Sequence, residues 1–197
     1  MTARVRGFII SAGGIAWLAG IVVLELMYQE SDDSFPIAFP LLALFAGVSV
    51  GWGLWSAARS IDRRTARLGY RLVGASATVL GVGFGLELLP GDTFLAFLLA
   101  YSVGLFLLPG ALIVLGLGVL RSVVFPWWAK WVPLTTAAAG AITYGFHALA
   151  PEVWDPSDAV WYACVGASWL LLGLATVSIP YAPNDDVRAT PLGVGAS

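Results

Sequence analysis

Six long apolar runs constrain this sequence more than any other feature. They cover residues 8–28, 36–57, 70–89, 94–120, 132–150 and 157–179, and they are 19 to 27 residues long. A membrane-spanning helix needs about 20 apolar residues in succession, so each run is long enough to cross a bilayer. The runs lack the alternation of apolar and polar residues that is typical of transmembrane barrel strands. We therefore expect an all-α fold, a polytopic membrane helical bundle with six transmembrane helices.

The composition supports this expectation. Hydrophobic residues make up 59% of the chain and charged residues 11%, compared with about 25% charged residues in a typical soluble domain. A soluble protein of 197 residues could not bury so much apolar surface. The net charge of −2 gives no reason to expect a nucleic-acid partner. With one cysteine, Cys164, and one histidine, His147, we expect no internal disulfide, no metal site and no cofactor.

The distribution of basic residues predicts the orientation in the membrane. If the N-terminus is placed inside, the inner segments contain all ten Lys and Arg residues, five of them between positions 59 and 71, and the outer loops contain acids but no base. Such a bias places the basic segments on the cytoplasmic side. We therefore expect a multi-pass protein of the cell membrane with both termini in the cytoplasm. Residues 1–179 would form one transmembrane domain, and 180–197 a flexible cytoplasmic tail.

An internal repeat relates the outer ends of the odd-numbered spans. Each carries one ionisable residue near its end, and the three residues are Glu25, Glu87 and His147. They are separated by 62 and 60 positions, and each is followed five residues later by an acid. This pattern predicts three helical hairpins that are parallel repeats around an axis along the membrane normal. Chance is the alternative, because Gly and Leu are common in any membrane helix.

Small residues predict where the helices pack. Close backbone contact stabilises helix pairs in lipid, and pairs of small residues four positions apart permit it. The glycines that we expect at such contacts, two pairs spaced in this way and two single residues in the even-numbered spans, are Gly47, Gly51, Gly81, Gly85, Gly116 and Gly173. The alternative is that one such face lies exposed and binds a second copy of the chain.

Pro109 lies near the middle of the longest run, 94–120. Proline removes a backbone donor and leaves the carbonyl of Leu105 without its helical partner, so we expect a kink here. A static bend that fits 27 residues into the bilayer is our interpretation, and a gating hinge is the alternative.

The ionisable residues within the spans are the candidate site. Glu25, Glu87 and His147 lie about one turn from their helix ends, roughly 5 Å deep. Each side chain can reach interfacial water by itself, and this is our first interpretation. In the alternative, the repeat brings them together as an outward-side polar site that binds a cation or relays a proton.

Four tryptophans lie within the spans, and a basic segment follows the second span. We interpret Trp17, Trp52, Trp55 and Trp169 as packing residues, with a small-molecule cavity as the alternative. The basic segment 59–67 is expected to contact lipid headgroups, with a cytoplasmic partner as the alternative.

The chain resembles the HdeD-like family of small membrane proteins. The likeness lies in its length, its six spans, residues 87–92 (ELLPGD) and the run that continues through Gly104 and Gly110 to residues 116–121 (GLGVLR). Some members of that family are linked to acid stress, and the resemblance implies a fold of three short hairpins. It transfers no functional residue.

No enzyme signature is present, neither a phosphate-binding loop, a nucleophile elbow, a HExxH zinc motif nor a dinucleotide fingerprint. We therefore assign no catalytic residue and expect a non-enzymatic integral membrane protein, either an accessory or scaffold protein or a stress-related one. The alternative is a small transporter or channel component. The expected partners are the lipid bilayer and either a second copy or a larger membrane complex.

Overall fold

The computed structural model describes residues 2–28, 37–61, 63–89, 94–122, 125–149 and 156–178. The side chains of residues 144–149 and of a few other helical positions lie outside this description. The tail expected at 180–197 and most of the residues expected in the outer loops also lie outside it.

The described chain is helical, and no strand occurs within it. Its α-helices are α1 (Ala3–Tyr28), α2 (Ala38–Ala58), α3 (Arg64–Leu86), α4 (Phe94–Ser102), α5 (Leu108–Leu120), α6 (Val132–Leu149) and α7 (Pro156–Val177). A π-helical segment, Val103–Leu107, joins α4 to α5, and a short 3₁₀ helix, Trp127–Lys130, precedes α6.

Two helices begin earlier than the apolar runs predict. The helix α1 starts at Ala3 rather than at residue 8, and α3 starts at Arg64 rather than at residue 70. Both extensions are rich in arginine, which is a good helix former and whose long side chain can reach the headgroup layer from a helix end. The apolar runs therefore predicted where these helices lie but not their basic first turns.

The run 94–120 is not one regular α-helix. The backbone N–H of Leu108 donates to the carbonyl of Val103, five residues earlier, and Pro109 then occupies the first turn of α5. A proline ring collides with the carbonyl four residues before it in a regular helix, and the wider π turn accommodates that collision. The irregularity expected at Pro109 thus takes the form of a π segment on its N-terminal side.

Neighbouring helices run antiparallel and form a closed ring. In the order α1, α2, α3, α4–α5, α6 and α7, each contacts the next, and α7 contacts α1. Contacts of glycines in α2 and α1 show the direction for this pair: Gly53 lies against Ile10, whereas Gly20, nearly three turns further along α1, lies against Phe39 at the other end of α2.

The outer surface of the ring is apolar. Three helical segments, Ala3–Leu26, Ala38–Ala58 and Ala159–Val177, are long and apolar enough to cross a membrane. Large hydrophobic side chains are exposed along several helices, among them Phe8 (65%), Phe45 (55%) and Trp52 (65%). A water-soluble monomer rarely exposes so large an apolar surface. The chain is therefore a helical protein suited to a membrane.

Candidate functional site

Glu25 and Glu87 lie at the C-terminal ends of α1 and α3, which the sequence predicts to be outer ends; these two helices flank α2. Both residues are partly buried. Glu87 caps α3, and its backbone N–H donates to the carbonyl of Phe84. Within the described part of the chain, no hydrogen bond or ion pair joins the two carboxylates.

The carboxylate of Glu87 faces inward. Its Oε2 atom is buried and finds no hydrogen-bond partner among the described residues. Gly83 and Leu80, about one and two turns earlier in α3, are buried as well, so Glu87 continues the buried face of the helix. A carboxylate in this position can accept a proton or contact a cation.

His147 lies in the last turn of α6, and its side chain is among those outside the described set. The backbone places it near the C-terminal end of α6, four residues after Thr143.

A cluster of aromatic side chains fills the ring just below Glu87. We call it the aromatic plug, and its members are Trp17, Phe39, Phe84, Tyr162 and Trp169. Phe84 lies 5.0 Å from Phe39, 5.9 Å from Trp17 and 6.3 Å from Tyr162, measured between ring centroids. These are normal spacings for stabilising edge-to-face pairs. The plug connects α1, α2, α3 and α7 across the interior of the bundle.

A polar contact fixes the plug in place. The indole Nε1–H of Trp17 donates to the backbone carbonyl of Tyr162 over 2.9 Å. This bond joins α1 to α7, the first and last helices of the ring, and it satisfies an indole donor that is 1% exposed. The sequence predicted packing roles for Trp17, Trp52, Trp55 and Trp169; the first and last of these are buried, and the other two are exposed.

Aliphatic side chains close the interior below the plug. Leu108, Leu112 and Leu115 of α5 have no exposed surface, and neither has Leu172 of α7. Tyr70 of α3 is also fully buried and lies 6.1 Å from the ring of Phe125. Buried apolar side chains therefore continue through the described interior from the plug to the other end of the bundle.

Buried hydroxyls are distributed along the same interior. Thr136 and Thr176 donate to carbonyls one turn back in their own helices, each over 2.8 Å. Ser168 Oγ and Trp169 Nε1 are buried and have no hydrogen-bond partner within the described residues. The sequence did not point to the buried hydroxyls, because a serine or threonine in an apolar run carries no signal of the direction in which it points.

The predicted packing glycines lie at helix contacts. Four of them face a backbone or a side chain across the α2–α3 interface, namely Gly47, Gly51, Gly81 and Gly85. Gly173 faces α1, where a Cβ would lie 2.7 Å from the carbonyl oxygen of Gly7. Gly116 faces chiefly the side chain of Leu134 across the α5–α6 interface. Gly47 and Gly81, in contrast, meet the backbone of the facing helix.

Among the described residues, no group of three or more His, Cys, Asp or Glu side chains is placed to hold a metal ion. Comparison of the chain with protein-family models, with curated proteins and with solved structures finds no significant match. The chemistry available at this end of the bundle is therefore that of the residues themselves, which are the carboxylates of Glu25 and Glu87 above the aromatic plug.

Proposed function

We propose that this chain is a six-span protein of the cell membrane that acts without catalysis, as a scaffold or an accessory subunit of a membrane assembly. The observation that carries the proposal is the apolar packing of the interior. The aromatic plug and the buried leucines below it occupy the described centre of the bundle, with buried serine and threonine hydroxyls among them. A protein built in this way offers lipids and partners its outer surface.

The helix arrangement supports six spans in three hairpins. A helix, or the α4–α5 pair with its π segment, occupies each of the six apolar runs. Odd-numbered and even-numbered spans alternate around the closed ring, as three hairpins around one axis would. Together with the segregation of basic residues, this favours a topology with both termini in the cytoplasm.

Kinship with HdeD-like proteins is part of the proposal. It rests on the sequence likeness and on the short connections between helices, and it favours a stress-related role over a housekeeping one. A deletion strain that grows normally at neutral pH and poorly after acid shock would support this role. Equal survival of the deletion and parent strains would remove it.

Site-specific labelling tests the topology. Cys164 is replaced by serine, and single cysteines are introduced at Asp33, Asp92 and Asp155. A membrane-impermeant maleimide should label all three in intact cells, whereas a cysteine at Arg59 should react only after the membrane is opened. Labelling of any outer position from the inside only would contradict the topology.

A flux assay tests the function. Purified protein in liposomes should pass protons and monovalent cations no faster than empty liposomes do. The matched variant Phe84→Ala removes the residue at the centre of the plug, and leakage through this variant alone would show that the plug closes the bundle. Flux through the unaltered protein would contradict the scaffold proposal.

The buried Glu87 carboxylate favours a second candidate, a small transporter or channel component with an outward-side polar site. A carboxylate oxygen that is buried in an apolar bundle without a hydrogen-bond partner destabilises the fold. Ionisable residues in such positions commonly belong to functional sites. The flux assay separates the two candidates: cation-dependent flux that Glu87→Gln abolishes and Glu25→Gln reduces would establish transport.

A further inference from the structure

The inner end of the α2–α3 interface carries an unusual combination of basic and aromatic side chains. The backbones of α2 and α3 approach closely here, since a Cβ on Gly51 would lie 2.8 Å from the carbonyl oxygen of Gly74. No lipid chain can enter between helices packed in this way. The side chains of Trp52 and Trp55 are left on the outer surface, 65% and 46% exposed.

Arg71 lies across this surface. Its guanidinium carbon is 5.7 Å from the centre of the Trp55 ring, a cation–π distance. This contact holds the guanidinium over the indole, while its N–H groups remain available at the edge. The result is an ordered donor at the level where the apolar surface of the bundle meets the headgroups.

More positive charge surrounds Arg71 at the same end. Arg59 ends α2, and Arg63 and Arg64 begin α3, and all three are exposed. The N-terminal turn of α1 lies beside them, since Arg6 donates a hydrogen bond to Ser60. The described carboxylates, those of Glu25 and Glu87, lie at the opposite ends of their helices. From Arg71 to Glu87 the separation is 16 residues, about 24 Å along the helix.

Apolar surface continues directly from the basic group toward the centre of the membrane. Trp52 lies about one turn above Trp55 on α2, and Leu72, the residue after Arg71 on α3, is 39% exposed. The apolar surface would contribute nothing to the binding of a soluble anion. An acidic segment of a cytoplasmic protein would not reach it. A molecule with a phosphate at one end and acyl chains at the other matches both parts.

We propose that Arg71, stacked on Trp55, and the arginines of the α2–α3 connection form a binding site for an anionic glycerophospholipid. The phosphate contacts the guanidinium groups of Arg71 and Arg64, and an acyl chain lies along Trp52 and Leu72. The site goes beyond the scaffold function and rests only on the proposal that the chain lies in a membrane. It gives the basic segment a specific ligand rather than a diffuse attraction to the bilayer.

Native mass spectrometry of the purified protein in detergent tests this proposal, because it counts bound lipids without reference to sidedness. The protein is titrated with phosphatidylglycerol and, separately, with phosphatidylcholine. We expect preferential retention of phosphatidylglycerol, and we expect Arg71→Gln to weaken that retention about fivefold, the equivalent of about 1 kcal/mol for one basic residue at an anionic surface. Arg121→Gln, which removes an exposed arginine at the inner end of α5, is the matched control and should leave retention unchanged.

Two further variants separate charge from stacking. Arg71→Lys keeps the charge and should retain part of the affinity, whereas Trp55→Leu keeps the apolar surface and should lose the preference for the anionic lipid. Both should melt like the parent protein, because both positions are on the surface. Equal losses in Arg71→Gln and Arg121→Gln would overturn the proposal in favour of diffuse charge. Competition by soluble glycerol phosphate at the concentration of the lipid would overturn it in favour of a free phosphate site.

A failure of this proposal is distinguishable from a failure of the scaffold proposal. Lipid binding is measured without transport, and flux is measured in liposomes in which every variant meets the same lipid. Unaltered retention of phosphatidylglycerol by Arg71→Gln would remove the lipid site and leave the scaffold proposal intact.

Discussion

Gly47 of α2 and Gly81 of α3 face each other so closely that neither position has room for a side chain. A Cβ built on Gly81 would lie 2.8 Å from the Cα of Gly47 and 2.7 Å from the carbonyl oxygen of Ala43. Both obstacles are backbone atoms, which cannot move aside without displacing a helix. This contact therefore sets the separation of α2 and α3.

The first prediction follows from that contact. Gly81→Ala should destabilise the protein by roughly 1–3 kcal/mol, because even one methyl group forces the two backbones apart. Thermal unfolding in detergent, followed by circular dichroism, should show a lower midpoint.

Gly110 provides the matched control. A Cβ on Gly110 meets nothing within 4 Å, so Gly110→Ala should be neutral or stabilise the helix by up to about 1 kcal/mol through higher helix propensity. If Gly81→Ala and Gly110→Ala unfold alike, the close contact of α2 with α3 does not contribute to stability.

The second prediction compares Gly51 with Gly116, which the sequence presents as equivalent. A side chain at Gly51 meets the backbone of Gly74 and the Thr78 hydroxyl, whereas one at Gly116 meets chiefly the end of the Leu134 side chain. Leu134 can change rotamer, so Gly116→Ala should lower the unfolding midpoint less than Gly51→Ala does. The opposite order would show that α5 and α6 are held more rigidly than their contacts indicate.

The third prediction concerns the bond between Trp17 and Tyr162. Trp17→Phe keeps an aromatic ring in the plug but loses the indole donor, which should cost about 1 kcal/mol in unfolding free energy. Trp52→Phe changes an exposed tryptophan and should have no measurable effect. Equal unfolding midpoints for both variants would mean that the bond between α1 and α7 adds nothing to the closed ring.

The fourth prediction concerns the π segment. Pro109→Ala restores a backbone N–H and removes the ring that collides with the preceding turn, so the Leu108 N–H should be able to return to an α-helical partner. Carbon chemical shifts of residues 103–107 should then move toward regular α-helix values. Unchanged shifts would show that tertiary packing, rather than Pro109, imposes the π turn.

The fifth prediction addresses Glu25, Glu87 and His147. In a Cys164→Ser background, cysteine pairs are introduced at 25 and 87, 25 and 147, and 87 and 147. If the repeat places the three positions around one axis, a short bifunctional maleimide should bridge all three pairs with similar yields. Bridging of no pair would leave three separate interfacial residues and would remove the argument for a shared polar site.

Much of the architecture could be predicted from the sequence because a bilayer permits few solutions. Each span must satisfy its backbone hydrogen bonds internally, so an apolar run near 20 residues becomes a helix whatever its neighbours are. The sequence also predicted an irregular helix at Pro109, because the missing backbone N–H of proline has the same local effect in any fold. It did not predict the first turns of α1 and α3, because arginines end an apolar run without ending a helix.

The partners of each side chain could not be predicted. Trp17 and Trp52 are both tryptophans in apolar spans, yet one is buried against α3 and α7 and the other is exposed, and composition does not distinguish them. The same is true of Gly81 and Gly116, both predicted to pack, of which the first meets another backbone and the second chiefly a side chain. Apolarity and helix propensity are properties of a residue in its own chain segment and so were determined by the sequence alone. Which face of a helix turns inward depends on how six helices close into one ring, and only the tertiary structure decided that.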